Sequence, residues 1–504
     1  DDIGAVQLGD PITKEPLMHL CLELNEMGLL TGMKDLGGGG LSCVVGELAL
    51  DAGFGAKVDL EKVHLKVENM PPWEIWVSES QERMMFTVKP KNVNKVLEIC
   101  KSWDVEAVSI GEVIAEKRNI VNYHGTEILN LDLEFTTGGP VYKRPYNLPE
   151  YNIGNPADLP PYPDDIEAQI INIINQPEVA SKDWVIRQYD HEVRGKTTLK
   201  PIQGPIGKEV PGDSSVIKPV NDSWKGLALT SDVNPYLMEA NPYHGTMSAV
   251  EEVCRNLASV GARIDSLADC LCFGNPRKPD IMGQFKASCE ALRDAAVAVD
   301  VPYVSGNVSL YNETQEGAIP PTPVLMGIGL VNDIRKCVTS DMKSEGSIWL
   351  VGQTKEEMGA SLYYRTLGIE CPKVPTTNFK TFLPRMEQLI QAIENEEVVA
   401  CHDISNGGLA LSIIEMCMSG FGAEITFDGK LRADVELFSE SNGRWIVQVA
   451  TGCEDIFSKR FDFAKKIGNI NEKIIFKNST EKLVELTIEE VRDKWTKPIW
   501  ERLA

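Results

Sequence analysis

The amino-acid sequence predicts an α/β protein arranged as repeat, insert, repeat, and two observations carry that expectation. Residues 35–50, DLGGGGLSCVVGELAL, return 368 positions later as DISNGGLALSIIEMCM at 403–418. Each copy continues through GFGA, at Gly53 and Gly420, to a second shared motif: SESQER from Ser78 and SESNGR from Ser439. An apolar strand pattern follows each, MMFTV or WIVQV, so the chain carries an internal duplication. Between the copies, residues from about 181 to 336 alternate strand-like and helix-like patterns, which is the second observation.

Taken in order, the first repeated unit (1–145) has helical spacing over 17–24 and a glycine turn at 35–40 that opens a helix over 41–50. A stretch with Pro145, Pro149, Pro156, Pro160, Pro161 and Pro163 then leads to a short helix over 165–175. Proline fixes φ and donates no ladder hydrogen bond, so 146–180 is expected to be an extended linker plus that helix. The middle unit (181–338) reads LALTSD, SAVEEVCRNLASVGA, SLADCLCFG, a helix through Ala298, VPYVSGNVSL and PVLMGIGLV. The last unit (339–504) opens with a strand, SIWLVG at 347–352, and a helix over 356–365, after which its helix over 386–393 pairs with 17–24 of the first copy. Position 1 therefore corresponds to about position 369, and the first copy lacks the opening elements of the second. With the outer unit called Y and the middle one X, the chain reads Y, X, Y. A duplicated two-unit ancestor reads X, Y, X, Y, so one X is expected ahead of Asp1.

Composition excludes several classes. With 50 Lys+Arg against 74 Asp+Glu the net charge is −24, which would repel a nucleic-acid backbone. No run approaches the roughly 18 apolar residues of a spanning helix, and DDIGAVQLGD has no signal-peptide pattern. Twelve cysteines without CxxC spacing suit reduced thiols in the cytoplasm, and the close pair Cys270 and Cys272 reads as strand-spaced core packing. RGKTT at Arg194 lacks the Walker glycine, because Asp190 stands five positions before Gly195. HEVRG at His191 lacks a second histidine, and the six histidines show no ligand spacing.

Four places remain for chemistry. The glycines after Asp35 allow close backbone approach, so their N–H groups suit an anion and Asp35 suits Mg²⁺. The run Glu79, Ser80, Gln81 sets carboxylate, hydroxyl and amide side by side for a polar ligand. SGNVSLYNET offers Gly306, Asn307 and Ser309 just after an apolar strand, where open α/β folds place ligand loops. Asp269 starts DCLCFGNP at a strand end.

Together these motifs resemble one family, the synthetase subunit of phosphoribosylformylglycinamidine synthase in purine synthesis. The resemblance rests on QLGDP (7–11), KDLGGGGL, SESQER, NPYHG, DCLCFGNP, SGNVSLYNET and HDISNGGLA in this order, and covers nearly the whole chain. It implies the fold of aminoimidazole ribonucleotide synthetase, in C-type, N-type, C-type order, with X units that pair into a barrel and Y units that are α/β sandwiches. It implies a ligase that activates the formylglycinamide oxygen with ATP, through an iminophosphate, for displacement by ammonia. It implies substrate contacts at Gln7, Glu79, Ser80, Gln81 and Ser309, Mg²⁺ at Asp35 and Asn307, and ATP contacts at Asp269 and Gly306, in a site formed where a Y unit meets an X unit. The family's partners are a glutaminase subunit and a small bridging subunit, and its place is the cytoplasm. A second cavity near Asp403 and 439–442 is expected by symmetry, and the resemblance implies a structural nucleotide there.

One departure is large. The family's catalytic histidine lies in a His-Asn-His-Pro motif of the first X, and the matching stretch here is Asp232, Val233, Asn234, Pro235. The chain alone is therefore expected to lack synthetase activity. Two alternatives stay open: another ATP-dependent synthetase of the same fold, and a non-catalytic nucleotide-binding scaffold.

Overall fold

A computed structural model of the chain describes residues 11–503 apart from 66, 68, 140, 150–158, 190 and 372. It divides into two compact units, 1–143 and 144–504.

The first unit holds two small sheets. Helix α1 (Pro11–Glu26) and strand β1 (Leu30–Asp35) lead to the glycine turn, helix α2 (Leu41–Asp51) and strand β2 (Gly55–Asp59). Strand β3 (Met84–Val88), helix α3 (Val93–Ser102) and strands β4 (Gly111–Ile114), β5 (Arg118–Tyr123) and β6 (Thr126–Asp132) complete it, with a short helix, α4 (Leu133–Gly138). Strand β1 pairs antiparallel with β3, while β4, β2, β5 and β6 form a separate sheet in that order. Each sheet has its own core. Leu17, Leu20 and Leu24 of α1 meet Val96 and Cys100 of α3 in one, and Leu41, Val45 and Ala49 of α2 meet Val58 and Val121 in the other. The i, i+3, i+4 spacing of those leucines and valines is what turns one face of each helix inward.

The second unit starts from helix α5 (Ile166–Ile174), capped by Asp165, whose carboxylate accepts the Ala168 N–H. Its isoleucines are buried in the core of the C-terminal sandwich, so this helix is a packed layer and not part of a free linker. A six-stranded mixed sheet follows, built from β7 (Thr197–Leu199), β8 (Ser215–Ile217), β9 (Gly226–Asp232), β10 (Arg263–Cys272), β11 (Tyr303–Ser309) and β12 (Thr322–Val331) in the order β11, β10, β12, β9, β8, β7. Helices α6 (Pro242–Ser259) and α7 (Pro279–Val299) cover one face. Strand β12 alternates buried and outward residues, and Met326 and Leu330 on the outward side are exposed.

The C-terminal sandwich carries β13 (Ser347–Val351), helix α8 (Phe379–Glu394), β14 (Val398–Asp403), helix α9 (Gly408–Cys417), β15 (Gly422–Thr426), β16 (Trp445–Val449), β17 (Ala464–Asn471), β18 (Ile474–Lys477), β19 (Lys482–Leu486) and helix α10 (Ile488–Leu503). The strands make one seven-stranded sheet ordered β14, β16, β13, β17, β15, β18, β19. Helix α6 packs against both this sheet and the six-stranded one, and one core runs from Val253 and Leu257 to Phe382, Trp445 and Val447. The helix expected over 356–365 is much shorter, Leu362–Thr366, and begins where Ser361 caps it by accepting the Tyr364 N–H.

Pairing directions repeat between the copies: β2 with β5 and β15 with β18 are parallel, and β5 with β6 and β18 with β19 are antiparallel. The difference lies in the middle. In the second copy β13 pairs antiparallel with both β16 and β17 and so joins the two halves of the sheet. Among the described residues of the first copy no strand holds that place, and the sheet stays in two pieces.

Candidate functional site

The glycine turn is built twice with the same atoms. Gly39 and Gly40 have φ of 75° and 53°, and Gly407 and Gly408 have 74° and 65°, a region that side chains resist. The last glycine of each pair also admits backbone: a Cβ on Gly40 would stand 2.0 Å from Ser78 O, and one on Gly408 would stand 2.7 Å from Ser439 O. That close approach seats the serine loop against the helix start. Gly39 N–H donates to Glu79 Oε1 at 2.9 Å, and Gly407 N–H to Glu440 Oε1 at 2.8 Å. The anion expected in the glycine cradle is thus, in both copies, the chain's own glutamate.

The serine loop is also duplicated. Ser78 and Ser80 hydroxyls lie 2.9 Å apart, as do those of Ser439 and Ser441. Arg83 donates through Nε to Ser80 O at 2.8 Å and through its Nη2 to Ser78 O at 2.5 Å; Arg444 does the same to Ser441 O and Ser439 O. Burial lowers the pKa of both guanidinium groups, that of Arg444 to about 9. Ser80, expected as a substrate contact, is buried inside the loop, whereas Gln81 is exposed and Glu79 half-buried. Asp35 is exposed at the end of β1. Gln7 lies outside the described residues.

The second turn has the same frame with its polar groups closed off. Asp403, 4% exposed, accepts from Arg255 Nε at 3.1 Å, and its N–H donates to Asp213 at 3.1 Å. Arg255 also reaches Glu251 and Glu252. Asn442 donates to Ser248 Oγ at 2.7 Å and Thr377 Oγ1 at 2.9 Å. His402 lies between Asp213 at 2.6 Å and Glu415 at 3.0 Å, in the position that Lys34 takes beside Glu47 in the first copy. Burial alone would push this imidazole down, but Asp213 and Glu415 hold it well above its ordinary value. Burial raises Glu440 to about 7 against the N–H groups of Leu362 and Gly407, and raises Asp232 to about 7 against Arg255. Asp213, His402 and Asp403 have ligand atoms close enough to hold a metal ion, and sequence reasoning missed Asp213 because it lies 190 residues from Asp403.

The middle unit presents its polar groups on strands. SGNVSL was expected in a loop and DCLC at a strand end; instead Gly306, Asn307 and Ser309 lie on β11 and Asp269 lies within β10. The run keeps extended pairing because the two strands are parallel neighbours, with Asp269 opposite Gly306, Cys270 opposite Asn307 and Cys272 opposite Ser309. A Cβ on Gly306 would stand 2.9 Å from Asp269 Oδ1, so glycine leaves room for the carboxylate. Burial raises the Asp269 pKa, and the Asn307 N–H partly offsets it. Asn307 is exposed, and Ser309 Oγ is 3.2 Å from Asn312 Oδ1. Cys270 and Cys272 are half-buried, not core residues, which corrects that expectation. At Asp232 to Pro235, Asn234 caps the helix that Pro235 opens and donates to Asn406.

A sandwich unit that occurs in the chain both before and after a mixed-sheet unit defines the class of AIR-synthase-related proteins. The sequence matches "AIR synthase related protein, C-terminal domain" over 1–124 and 338–476, and the N-terminal domain of the same description over 211–331. The subunit PurL of phosphoribosylformylglycinamidine synthase from Thermoplasma volcanium is 36% identical over 98% of this chain and 65% of the relative, and that from Thermococcus sibiricus is 38% identical over 98% and 68%. The solved PurLQS structure from Thermotoga maritima, 25% identical, superimposes with a TM-score of 0.67 over 92% of this chain and 68% of that one. T. maritima PurL complexed with FGAR, also 25% identical, gives 0.65 over 92% and 66%. The chain belongs to the phosphoribosylformylglycinamidine synthase subunit PurL family. It spans about 65% of the length of the Thermoplasma relatives. No helix among the described residues is long and apolar enough to cross a membrane.

Proposed function

We propose that the chain serves the ATP-dependent conversion of formylglycinamide ribonucleotide to formylglycinamidine ribonucleotide, with ammonia drawn from glutamine. The observation that carries this is the difference between the two turns: Asp35 and Gln81 face solvent, whereas Asp403 and Asn442 are bonded to protein. Relatives named for that synthase, and a T. maritima relative solved with FGAR, support the substrate class.

In this reading Gly39 orients Glu79, and Glu79 and Gln81 bind the substrate's polar groups, with Gln7 and Ser309 as further contacts. Ser80 shapes the loop from within. Asp269 and Gly306 bind ATP. ATP supplies the phosphoryl group that makes an amide oxygen able to leave. Asp35 and Asn307 fit Mg²⁺ by donor chemistry: both are exposed hard oxygen donors, and Asp35 has no ion pair among the described residues. The proton-transferring imidazole is not assigned to this chain, since Asp232 to Pro235 holds no histidine and His402 has both ring nitrogens engaged by carboxylates. A glutaminase subunit and a small bridging subunit are the proposed partners, the solved PurLQS assembly supporting them, and the cytoplasm is the proposed place.

The test is calorimetric titration of the full chain with ATP·Mg²⁺ and with the ribonucleotide, alongside an assay of amidine formation from free ammonia. Binding of both ligands, weakened by Glu79→Gln, is the expected outcome. Failure of the chain to bind both ligands would overturn the reading.

A further inference from the structure

We propose that Cys270 and Cys272 form a dithiol site for a thiophilic divalent cation of the zinc class. The two residues are alternate positions on β10, so their side chains leave the same face of the strand. Their sulfur atoms lie 3.9 Å apart. Two thiolates on a tetrahedral zinc ion, each about 2.3 Å from the metal, stand about 3.8 Å from one another. The pair therefore meets the bite of such an ion with no movement of the backbone.

A disulfide fits the same pair poorly. It would draw the sulfurs to about 2.05 Å, while positions i and i+2 of an extended strand hold their Cα atoms near 6.7 Å, at the upper end of what a disulfide bridges. Chelation needs no oxidant: two thiols release two protons, and the cation takes two sulfur ligands. The surroundings supply a third donor. Cys270 pairs with Asn307 across the strands, and its sulfur is 3.9 Å from Asn307 Oδ1. Both cysteines are half-buried, which leaves the remaining coordination positions to solvent. An open site with two thiolates selects soft cations over Mg²⁺, which prefers oxygen and its own waters.

Asn307 and Ser309 are also the residues proposed for the Mg²⁺ that accompanies ATP and for the substrate, and each lies opposite one of these cysteines. A soft cation on the dithiol would compete with nucleotide there; this consequence, unlike the site itself, rests on the function proposed above.

The experiment uses the full chain and Cd²⁺ as the probe, followed by the ultraviolet thiolate-to-cadmium absorption and by proton release. One equivalent that releases two protons is expected, with affinity reduced more than about tenfold in Cys270→Ser or Cys272→Ser. Cys43→Ser, at an exposed cysteine of the first unit, should leave that equivalent unchanged. Protection of both cysteines from alkylation by Cd²⁺ in the unsubstituted chain, read by peptide mass spectrometry, checks the assignment where a variant fails to fold. An equivalent that survives the double serine variant, or no protection of Cys270 and Cys272, would overturn the site. Cadmium binding that leaves ATP affinity unaltered would keep the dithiol site and count against the nucleotide role of this strand pair.

Discussion

Around Gly39 and around Gly407 the chain builds one turn twice, yet Lys34 and Glu47 beside the first are about 40% exposed, while His402 and Glu415 beside the second are 7% and 14% exposed. The glycines, the serine pair and the arginine clamp keep the same bonds in both. What differs is the surroundings. In the second copy α6 brings Arg255 onto Asp403 and Ser248 onto Asn442, so polar groups that the first copy leaves to solvent are satisfied by protein. A duplicated frame thus holds its geometry through local backbone demands, and its availability to a ligand is set by what packs on it.

The largest expected effect breaks this comparison at Arg255. Arg255→Met leaves Asp403 and Glu251 buried beside each other without their cation, a loss of about 3–5 kcal/mol. Urea titration with brief proteolysis and peptide mass spectrometry scores each copy separately, and only the second should unfold earlier. Next, the second copy should lose stability as pH rises from about 4.5 to 7. Glu440 binds its proton more tightly folded, at about 7 against an ordinary 4.5, so ionisation favours the unfolded chain by about 3 kcal/mol at most. His402 adds in the same direction: its stabilisation is full below its ordinary 6.5 and is lost as pH climbs through its raised value. Glu440→Gln should flatten the slope between pH 4.5 and 7, and an unchanged slope would deny that Glu440 is the titrating group.

The shared frame gives smaller effects that should appear in both copies. Gly40→Ala and Gly408→Ala each place a methyl against backbone at positive φ, and roughly 1–3 kcal/mol of strain is expected in its own copy, the greater at Gly40 where the gap is 2.0 Å. The smallest contrast is at the serines. Ser439→Ala should cost about 1 kcal/mol more than Ser78→Ala, because Ser439 Oγ also donates to Lys355 O at 2.7 Å. Equal losses in the two variants would mean that this extra bond contributes nothing.

Much of this was legible in the residues. The duplication, the turn glycines, the helices starting at Leu41 and Gly408 and the strand SIWLV all follow from spacing that local geometry imposes. SGNVSL reads as a loop because its polar residues hide the alternation of a strand, and a parallel neighbour supplies the pairing that the sequence does not announce. The Cys270 and Cys272 pair reads as core because strand spacing says that two residues share a face and not which face is covered.

By itself the sequence determined where the two turns lie and what each must be made of, since positive φ, close backbone approach and helix starts depend on residues only a few positions apart. The tertiary structure alone decided that β13 joins the second sheet, and that Arg255, 148 residues before Asp403, closes the second turn. Both outcomes depend on partners remote in the chain, and burial of a charge is settled by whichever group folding brings within hydrogen-bond reach.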